Sequence, residues 1–392
     1  MHLSATITSL ILPTLCIGSP LGTVEQDAAT RYIVKFKDNI SDFSLNQVLT
    51  QQKPDYIYTS DGFKGFASTL DAKSLNSVQN HQDVEFVEED AILTLEWNGL
   101  RNLHRKTTKI QANATWGLAR ISSRTRGKTD YRYDDSAGEG TCVYVIDTGV
   151  ETSHHEFGGR VIWGINTVSD DKAVDGNGHG TAVAGVIGSE TYGVAKKTTI
   201  IAVKVLGSSG SGTTAGVIAG MDWVVADAAT RTCPNGVVAC MAVGSGKSNI
   251  VNAAARAIVN AGVSLAVVAG SSNDDAAHYS PGSEPLAFTV GASMETDEVA
   301  WFSNYGEVLD MFAPGVDITS TWIGNDTETM SGTTMATAHA AGLGAYLLGL
   351  HGKKTPADLG SYMQSIATKD VLVGVPVGTK NLLAYNGIDE ET

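Results

Sequence analysis

The stretch CVYVIDTG, residues 142–149, decides the fold of this chain. It is a short apolar run that ends at a carboxylate and a glycine turn, and three similar runs follow it: IIAVKVLG (200–207), VVACMAVG (237–244) and SLAVVAGS (264–271). Ala-rich segments of helical length lie between them, at 213–229 and 248–262. Continuous apolar strands that alternate with helices indicate a parallel sheet with helices on both faces. The predicted fold class is therefore α/β, with functional residues expected beyond the carboxyl ends of the strands.

A small α+β domain is predicted ahead of this region. Its strand segments are RYIVKF (31–36), FKGFASTL (63–70) and VEFVEEDAILTL (84–95), and short helical patterns lie at 43–49 and 74–79. The next stretch, NGLRNLHRKTTK (98–109), is polar, basic and without periodicity, which predicts an exposed linker. A chain of 392 residues has room for two domains of this kind.

The composition limits the possible classes of protein and partner. The chain is 42% hydrophobic and 18% charged, which excludes disordered and fibrous proteins. Forty-two acidic residues against 27 basic ones give a net charge of −15. Such a surface repels a phosphate backbone, so nucleic acid is not expected as a partner.

The N-terminal segment predicts secretion. In MHLSATITSLILPTLCIGSP, a mainly apolar run too short to span a bilayer is followed by small residues, as in a cleaved signal peptide covering residues 1–19. No later stretch reaches about 18 uninterrupted apolar residues, so no membrane association is expected. Three N-x-S/T sequons agree with a secretory route and make glycosylation possible at Asn39, Asn113 and Asn325.

The cysteines allow one disulfide at most. Cys16 would leave with the signal peptide, so Cys142, Cys233 and Cys240 remain, an odd number. Cys233 lies in a CPNG turn, where it is accessible for pairing. Cys240 lies in the apolar run GVVACMAV and is expected to be a buried thiol.

Three polar positions could carry chemistry. Asp147 ends the first apolar run, where a carboxylate either orients an imidazole or caps a turn. His179 lies in the glycine-rich turn DGNGHGTAVAG (175–185), whose small residues let the backbone approach a general base, although a lone histidine is more often structural. In TMSGTTMATAHAAGLGAYLLG (329–349), hydroxyl groups stand where a loop opens into a long helix, and backbone N–H groups there can face an oxyanion. The order Asp, His, hydroxyl is that of the subtilisin triad.

With these motifs the chain resembles the subtilase family of serine endopeptidases, above all its secreted fungal enzymes of the proteinase K type. The likeness runs from Trp116 to Tyr385 through WGLARIS, CVYVIDTG, DGNGHGT, YGVAKKT, FSNYG, STWIG and NLLAYN. Residues 31–93 resemble the inhibitor-type propeptide of these zymogens through YIV-FKD, KGFA-TL and VEFVEEDAI. The resemblance implies a folding chaperone and inhibitor whose C-terminal tail occupies the cleft. The domains are then a signal peptide (1–19), a propeptide with linker (20–108) and a peptidase domain (109–392), with maturation near Lys109.

By resemblance Asp147 orients His179, which would act as the general base, but two other catalytic positions depart from the family pattern. Thr334 stands where the nucleophilic serine is expected, and Ser271 stands where the oxyanion asparagine is expected. The methyl group of threonine restricts χ1, and an internal threonine has no N-terminal amine to act as its base. Loss of the oxyanion donor costs about 100- to 1,000-fold in kcat, a magnitude known from subtilisin.

The strand that binds the substrate main chain, SLGG in the family, reads Ala242-Val243-Gly244-Ser245 here. We therefore expect a secreted subtilisin-like endopeptidase homologue, made as a zymogen, with lost or strongly reduced proteolysis. Two alternatives remain open: an active endopeptidase with Thr334 as nucleophile, and a propeptide-type protease inhibitor. The expected partners are a polypeptide substrate, or an extended peptide held by strand addition, and the chain's own propeptide. A monomer is expected.

The resemblance also implies a structural calcium ion and a disulfide. The calcium ligands would be the backbone oxygens of Pro285 and Ala287 and the carboxylate of Asp310, since oxygen ligands suit Ca²⁺. Asp310 could equally be a turn residue. Cys142 and Cys233 match a disulfide of the proteinase K type.

Overall fold

The computed structural model describes residues 30–94, 111–169 and 172–388. The predicted signal peptide, the linker at 98–109 and the expected maturation point therefore lie outside the described residues. Within the described ranges, no helix is long and apolar enough to cross a bilayer.

The N-terminal domain is an antiparallel sheet covered by two helices. Its elements are β1 (Thr30–Phe36), α1 (Asp42–Gln52), β2 (Tyr56–Ser60), β3 (Phe63–Leu70), α2 (Ala72–Gln79), β4 (Val84–Glu89) and β5 (Ile92–Thr94). The sheet order is β2-β3-β1-β4, and each neighbouring pair is antiparallel. The Ser41 and Asp71 side chains cap the two helices. The α+β prediction is confirmed, but it lacks β2 and joins β4 to β5, which the structure separates.

The second domain contains fourteen strands among the described residues. They are β6 (Thr141–Asp147), β7 (Val161–Asn166), β8 (Thr199–Lys204), β9 (Ser211–Thr213), β10 (Gly236–Met241), β11 (Ser245–Gly246), β12 (Ser264–Val268), β13 (Tyr279–Ser280), β14 (Phe288–Ser293), β15 (Met311–Pro314), β16 (Ile318–Trp322), β17 (Asp326–Met330), β18 (Thr368–Lys369) and β19 (Leu382–Leu383). Nine of them form one sheet, in the order β18-β19-β15-β14-β12-β10-β6-β8-β7. Only the edge strand β18 runs antiparallel to its neighbour in this sheet. The four apolar runs of the sequence form β12, β10, β6 and β8, which lie side by side.

Helices cover both faces of this sheet, which confirms the α/β prediction. They are α3 (Trp116–Ile121), α4 (His179–Gly188), α5 (Thr214–Ala228), α6 (Asn249–Asn260), α7 (Thr333–His351) and α8 (Pro356–Ile366). One apolar core lies under α4, α7 and α8, and the other lies under α5 and α6. Small residues let α7 pass through the core: a Cβ on Gly342 would lie 2.9 Å from the Cβ of Val194.

The predicted disulfide is present. Cys142, in β6, is bonded to Cys233, which precedes β10, across a separation of 91 residues. Cys240 is a buried free cysteine, as the apolar run around it predicts.

Three carboxylates join the N-terminal domain to α5 and α6: Asp222, Glu88 and Asp90, whose Oδ1 accepts the Ala215 N–H at 2.9 Å. Asp222 of α5 accepts a hydrogen bond from the Ser60 backbone N–H at 2.8 Å. Glu88 accepts hydrogen bonds from the Ser248 hydroxyl at 2.6 Å and from the Asn249 N–H at 3.0 Å, so it lies at the first turn of α6. Negative charge is favoured there because the helix N-terminus carries partial positive charge. In addition, β5, the last strand of the N-terminal domain, pairs antiparallel with β9 of the second domain. This pairing places the end of the N-terminal domain against the second domain.

Candidate active site

Asp147 and His179 form a buried hydrogen-bonded pair. Asp147 is the last residue of β6 and His179 is the first residue of α4; they are 0% and 2% exposed. The distance between Asp147 Oδ1 and His179 Nδ1 is 2.7 Å, and Oδ1 also accepts the Thr148 N–H at 2.7 Å. A carboxylate bonded to Nδ1 selects the imidazole tautomer that keeps its lone pair on Nε2. The structure thus brings Asp147 and His179 together, with the carboxylate placed to orient the imidazole of the predicted general base.

A second carboxylate, Asp175, holds the turn that presents His179. Its Oδ1 accepts the Gly178 N–H and the Thr148 hydroxyl, both at 2.9 Å, and its Oδ2 accepts the Thr181 N–H at 3.0 Å. The sequence reasoning did not single out Asp175. The available signal was its place at the start of DGNGHGT, since an aspartate before a glycine-rich turn commonly bonds backbone N–H groups.

Thr334 lies near the N-terminus of α7, at the same end of the sheet. The residue is 6% exposed, and its hydroxyl donates a hydrogen bond to the backbone carbonyl of Ala242 at 3.3 Å. Among the hydrogen bonds of the described residues, none joins Thr334 to His179. The observed rotamer therefore directs the hydroxyl to a backbone carbonyl rather than to the imidazole.

Ser271 lies in the loop after β12 and contacts the residue before Thr334. The Ser271 hydroxyl oxygen is 3.1 Å from the Thr333 hydroxyl oxygen and accepts the Thr333 N–H at 3.3 Å. Asn304 shapes this loop: its Oδ1 accepts the Ser272 N–H and its Nδ2 donates to the Ala269 carbonyl, each at 2.9 Å. Asn304 was also missed, although it lies in the quoted motif FSNYG.

The predicted substrate-binding segment follows β10 directly. Ala242 and Val243 are buried and Gly244 is half-buried. A small pocket opens here, with a lining made of Ala242, Gly244, Val268, Gly270, Tyr279, Ser280, Thr333 and Thr334. The predicted substrate strand and the predicted nucleophile position thus share one pocket.

The three predicted calcium ligands also lie together, but a cation of the chain already contacts one of them. Pro285, Ala287 and Asp310 line part of a cavity of about 250 Å³. The Asp310 carboxylate accepts hydrogen bonds from Gln364 at 2.9 Å and from the Lys380 ammonium at 3.0 Å. Two side chains of the chain, one of them a cation, therefore engage this carboxylate.

The three sequon asparagines, Asn39, Asn113 and Asn325, are all exposed. Their positions leave room for a glycan, and glycosylation stays a prediction.

Two family models match the chain. Residues 138–390 match the model described as "Subtilase family", and residues 31–96 match the model described as "Peptidase inhibitor I9". The first match covers more than half of the chain and contains the Asp147–His179 pair and Thr334. The second covers the N-terminal α+β domain.

Curated proteins and a solved structure agree with this assignment. The chain is 50% identical to "Cuticle-degrading protease" of Metarhizium anisopliae, over 99% of this chain and 100% of the relative. It is also 50% identical to "Proteinase R" of Parengyodontium album, over 91% and 89% of the two chains. A crystal structure of a cold-adapted subtilisin-like serine proteinase matches with a TM-score of 0.67 at 42% identity, covering 71% of this chain and 100% of that chain. The chain therefore belongs to the subtilase family and carries a peptidase inhibitor I9 propeptide domain in front of its subtilase domain.

Proposed function

We propose that this chain is a secreted zymogen-type subtilase whose proteolysis is lost or strongly reduced, and whose cleft binds extended polypeptide. The observation that carries the proposal is the hydrogen bond from the Thr334 hydroxyl to the Ala242 carbonyl. A hydroxyl nucleophile of this family must give its proton to the imidazole as it attacks. Here the hydroxyl proton points to a carbonyl that cannot act as a base.

The methyl group of Thr334 makes this arrangement hard to reverse. Threonine carries two heavy atoms on Cβ, so rotation of the hydroxyl toward His179 also moves the methyl group into a new position. Thr334 is 6% exposed and lines the small pocket, so the rotated methyl group would occupy part of the space between the hydroxyl and a bound peptide. A nucleophile that is misplaced by roughly 1 Å loses on the order of 100-fold in rate.

The oxyanion side of the cleft supports the same conclusion. The Ser271 hydroxyl is engaged with the Thr333 hydroxyl and N–H, so its short side chain is used within the loop. A transition-state oxyanion is stabilised by donors aimed at its own position, and removal of one costs about 100- to 1,000-fold. Two weakened groups that serve one transition state leave mainly backbone donors and binding energy.

Extended peptide remains the natural ligand of such a cleft. The segment from Ala242 to Gly244 borders the pocket with its backbone, and strand addition binds peptides through main-chain hydrogen bonds. The I9 domain is the partner present in the same chain, and its β5 already pairs with β9. The proposal includes secretion, which the signal-like N-terminal segment supports, and glycosylation, which the three exposed sequons support.

One observation favours a second candidate function, an active endopeptidase with Thr334 as nucleophile. The Asp147–His179 pair keeps the geometry of a general base, at 2.7 Å and fully buried, although an inactive cleft would not need it. In that case a substrate-induced rotation of Thr334 would break the bond to Ala242 before attack.

The intact mass of the secreted protein tests the two candidates. The natural chain and a Thr334→Ala variant would be expressed in a host that lacks secreted proteases. The proposal predicts that both retain the I9 domain and have the same mass apart from the substitution. If the natural chain loses its propeptide near Lys109 and the variant does not, Thr334 is a nucleophile and the proposal is wrong.

A further inference from the structure

We propose that the Lys380 ammonium takes the place of a structural calcium ion at Asp310, so that this part of the subtilase domain is held together without metal. The site is the one whose three oxygen ligands the resemblance to subtilases assigns to calcium. The inference concerns stability, so it is independent of whether the cleft is catalytic.

Both oxygens of the Asp310 carboxylate have donors from the chain. Oδ1 accepts hydrogen bonds from Lys380 Nζ at 3.0 Å and from Gln364 Nε2 at 2.9 Å, and Oδ2 accepts the Thr289 N–H at 3.0 Å. The Asp310 side chain is 21% exposed, against 43% for Lys380. The more exposed lysine therefore covers the mostly buried carboxylate on its solvent side.

These donors come from separate elements and join them at one carboxylate. Asp310 immediately precedes β15, Thr289 lies in β14, Gln364 lies in α8, and Lys380 precedes β19, the strand between β15 and the edge strand β18. Gln364 Nε2 also approaches the Asp310 backbone carbonyl, at 3.3 Å. A bound ion that linked the same elements would have the same structural effect.

The chain itself supplies only part of a calcium coordination sphere here. Ca²⁺ takes about 6–8 oxygen ligands at roughly 2.3–2.6 Å. The family-type ligands supply one carboxylate and two backbone carbonyls, and the adjoining cavity is lined largely by apolar side chains such as Leu265, Phe288 and Met363. An ammonium 3.0 Å from the carboxylate would repel an incoming dication and already neutralises its charge.

Thermal unfolding of the full chain, in excess EDTA and in excess CaCl₂, tests this role. Lys380→Met keeps the aliphatic stem and removes the charge. Lys369→Met is the control, because Lys369 is an exposed lysine on the neighbouring strand β18 that makes no ion pair with Asp310 in the described structure. In EDTA we expect Lys380→Met to unfold about 2–4 °C below the control, as the loss of one partly buried ion pair predicts for a domain of this size.

The response to calcium then identifies the group that neutralises Asp310. We expect Asp310→Asn to lower the unfolding temperature. If CaCl₂ raises the unfolding temperature of the natural chain, it should raise that of Asp310→Asn by the same amount, because the metal is not bound at this site. We expect Lys380→Met to regain stability in CaCl₂ if the vacated position admits the ion, or to stay destabilised if it does not; both results support the ammonium. The proposal is overturned if Asp310→Asn abolishes a calcium response of the natural chain, or if Lys380→Met and Lys369→Met unfold at the same temperature in EDTA.

Discussion

The double variant Thr334→Ser/Ser271→Asn is expected to hydrolyse peptide bonds far faster than the natural chain. The Thr334 hydroxyl donates to the Ala242 carbonyl at 3.3 Å, a long neutral hydrogen bond of a kind that contributes about 1 kcal/mol. Serine lacks the methyl group that restricts χ1, so its hydroxyl can give up this bond and turn toward His179. Correct placement of the nucleophile is worth on the order of 100-fold, which we expect for Thr334→Ser alone.

The second substitution supplies the missing oxyanion donor. Ser271 is used within its own loop, by Thr333, whereas an asparagine carries its amide farther from the backbone. One such donor contributes about 100- to 1,000-fold in kcat, or about 2.7–4 kcal/mol. The two changes act as a unit on one transition state, so the effect of the double variant is not the product of the single effects and has to be measured directly.

Two readouts measure the gain: the rate at which the mature mass appears, and hydrolysis of a peptide p-nitroanilide. Thr337→Ser is a matched control, because it makes the same substitution on α7 at a hydroxyl that is bonded to the Thr333 carbonyl at 2.8 Å. Adding His179→Ala to the double variant should abolish the gain. If a correctly folded double variant is no faster than the natural chain, these two positions do not limit catalysis and the reasoning is refuted.

Three further predictions concern stability, each measured as the free energy of unfolding in denaturant. Gly344→Ala should stabilise the chain by about 1 kcal/mol, because its Cβ would meet neighbours no closer than 3.5 Å and alanine favours the helix. Gly342→Ala, two residues away on α7, should destabilise it by about 1–3 kcal/mol, because that Cβ would lie 2.9 Å from a packed side chain; equal signs would contradict the packing described. Burial lowers the pKa of His339 to about 4, and because the unfolded residue titrates near 6.5, the unfolded state binds more protons between these values. As the pH drops from about 6.5 toward 4, His339 should therefore lower the free energy of unfolding by up to about 1.4 kcal/mol per pH unit. If a His339→Gln variant loses stability with pH as steeply as the natural chain, His339 is not the residue responsible. Glu88→Gln should lower stability by about 1 kcal/mol by weakening the charge at the α6 N-terminus, whereas the exposed Glu89→Gln should change it little; the opposite ranking would show that Glu88 does not dock the I9 domain.

The amino-acid pattern alone was enough to predict the fold class, and the resemblance to subtilases assigned the candidate site positions. Apolar runs that end at polar residues specify strands of a parallel sheet, and such strands place their carboxyl ends at one edge. Asp147, His179 and Thr334 each stand at a strand end or helix start, but each local pattern also fits a structural residue, and the resemblance to subtilases assigned their roles. The pairing of Cys142 with Cys233 followed from resemblance and not from spacing.

The contacts that these positions make could not be predicted without the folded chain. The rotamer of Thr334 depends on the Ala242 carbonyl, 92 residues away in sequence, and the partner of Asp310 is a lysine 70 residues away. Strand β2 was also missed, because its YIYTS pattern is short and part of its burial comes from α5 of the other domain, where Asp222 receives the Ser60 N–H. Local patterns record which face of an element is apolar, whereas rotamers, ion pairs and docking contacts depend on which distant atoms lie within about 3 Å, and that is fixed only when the chain is folded.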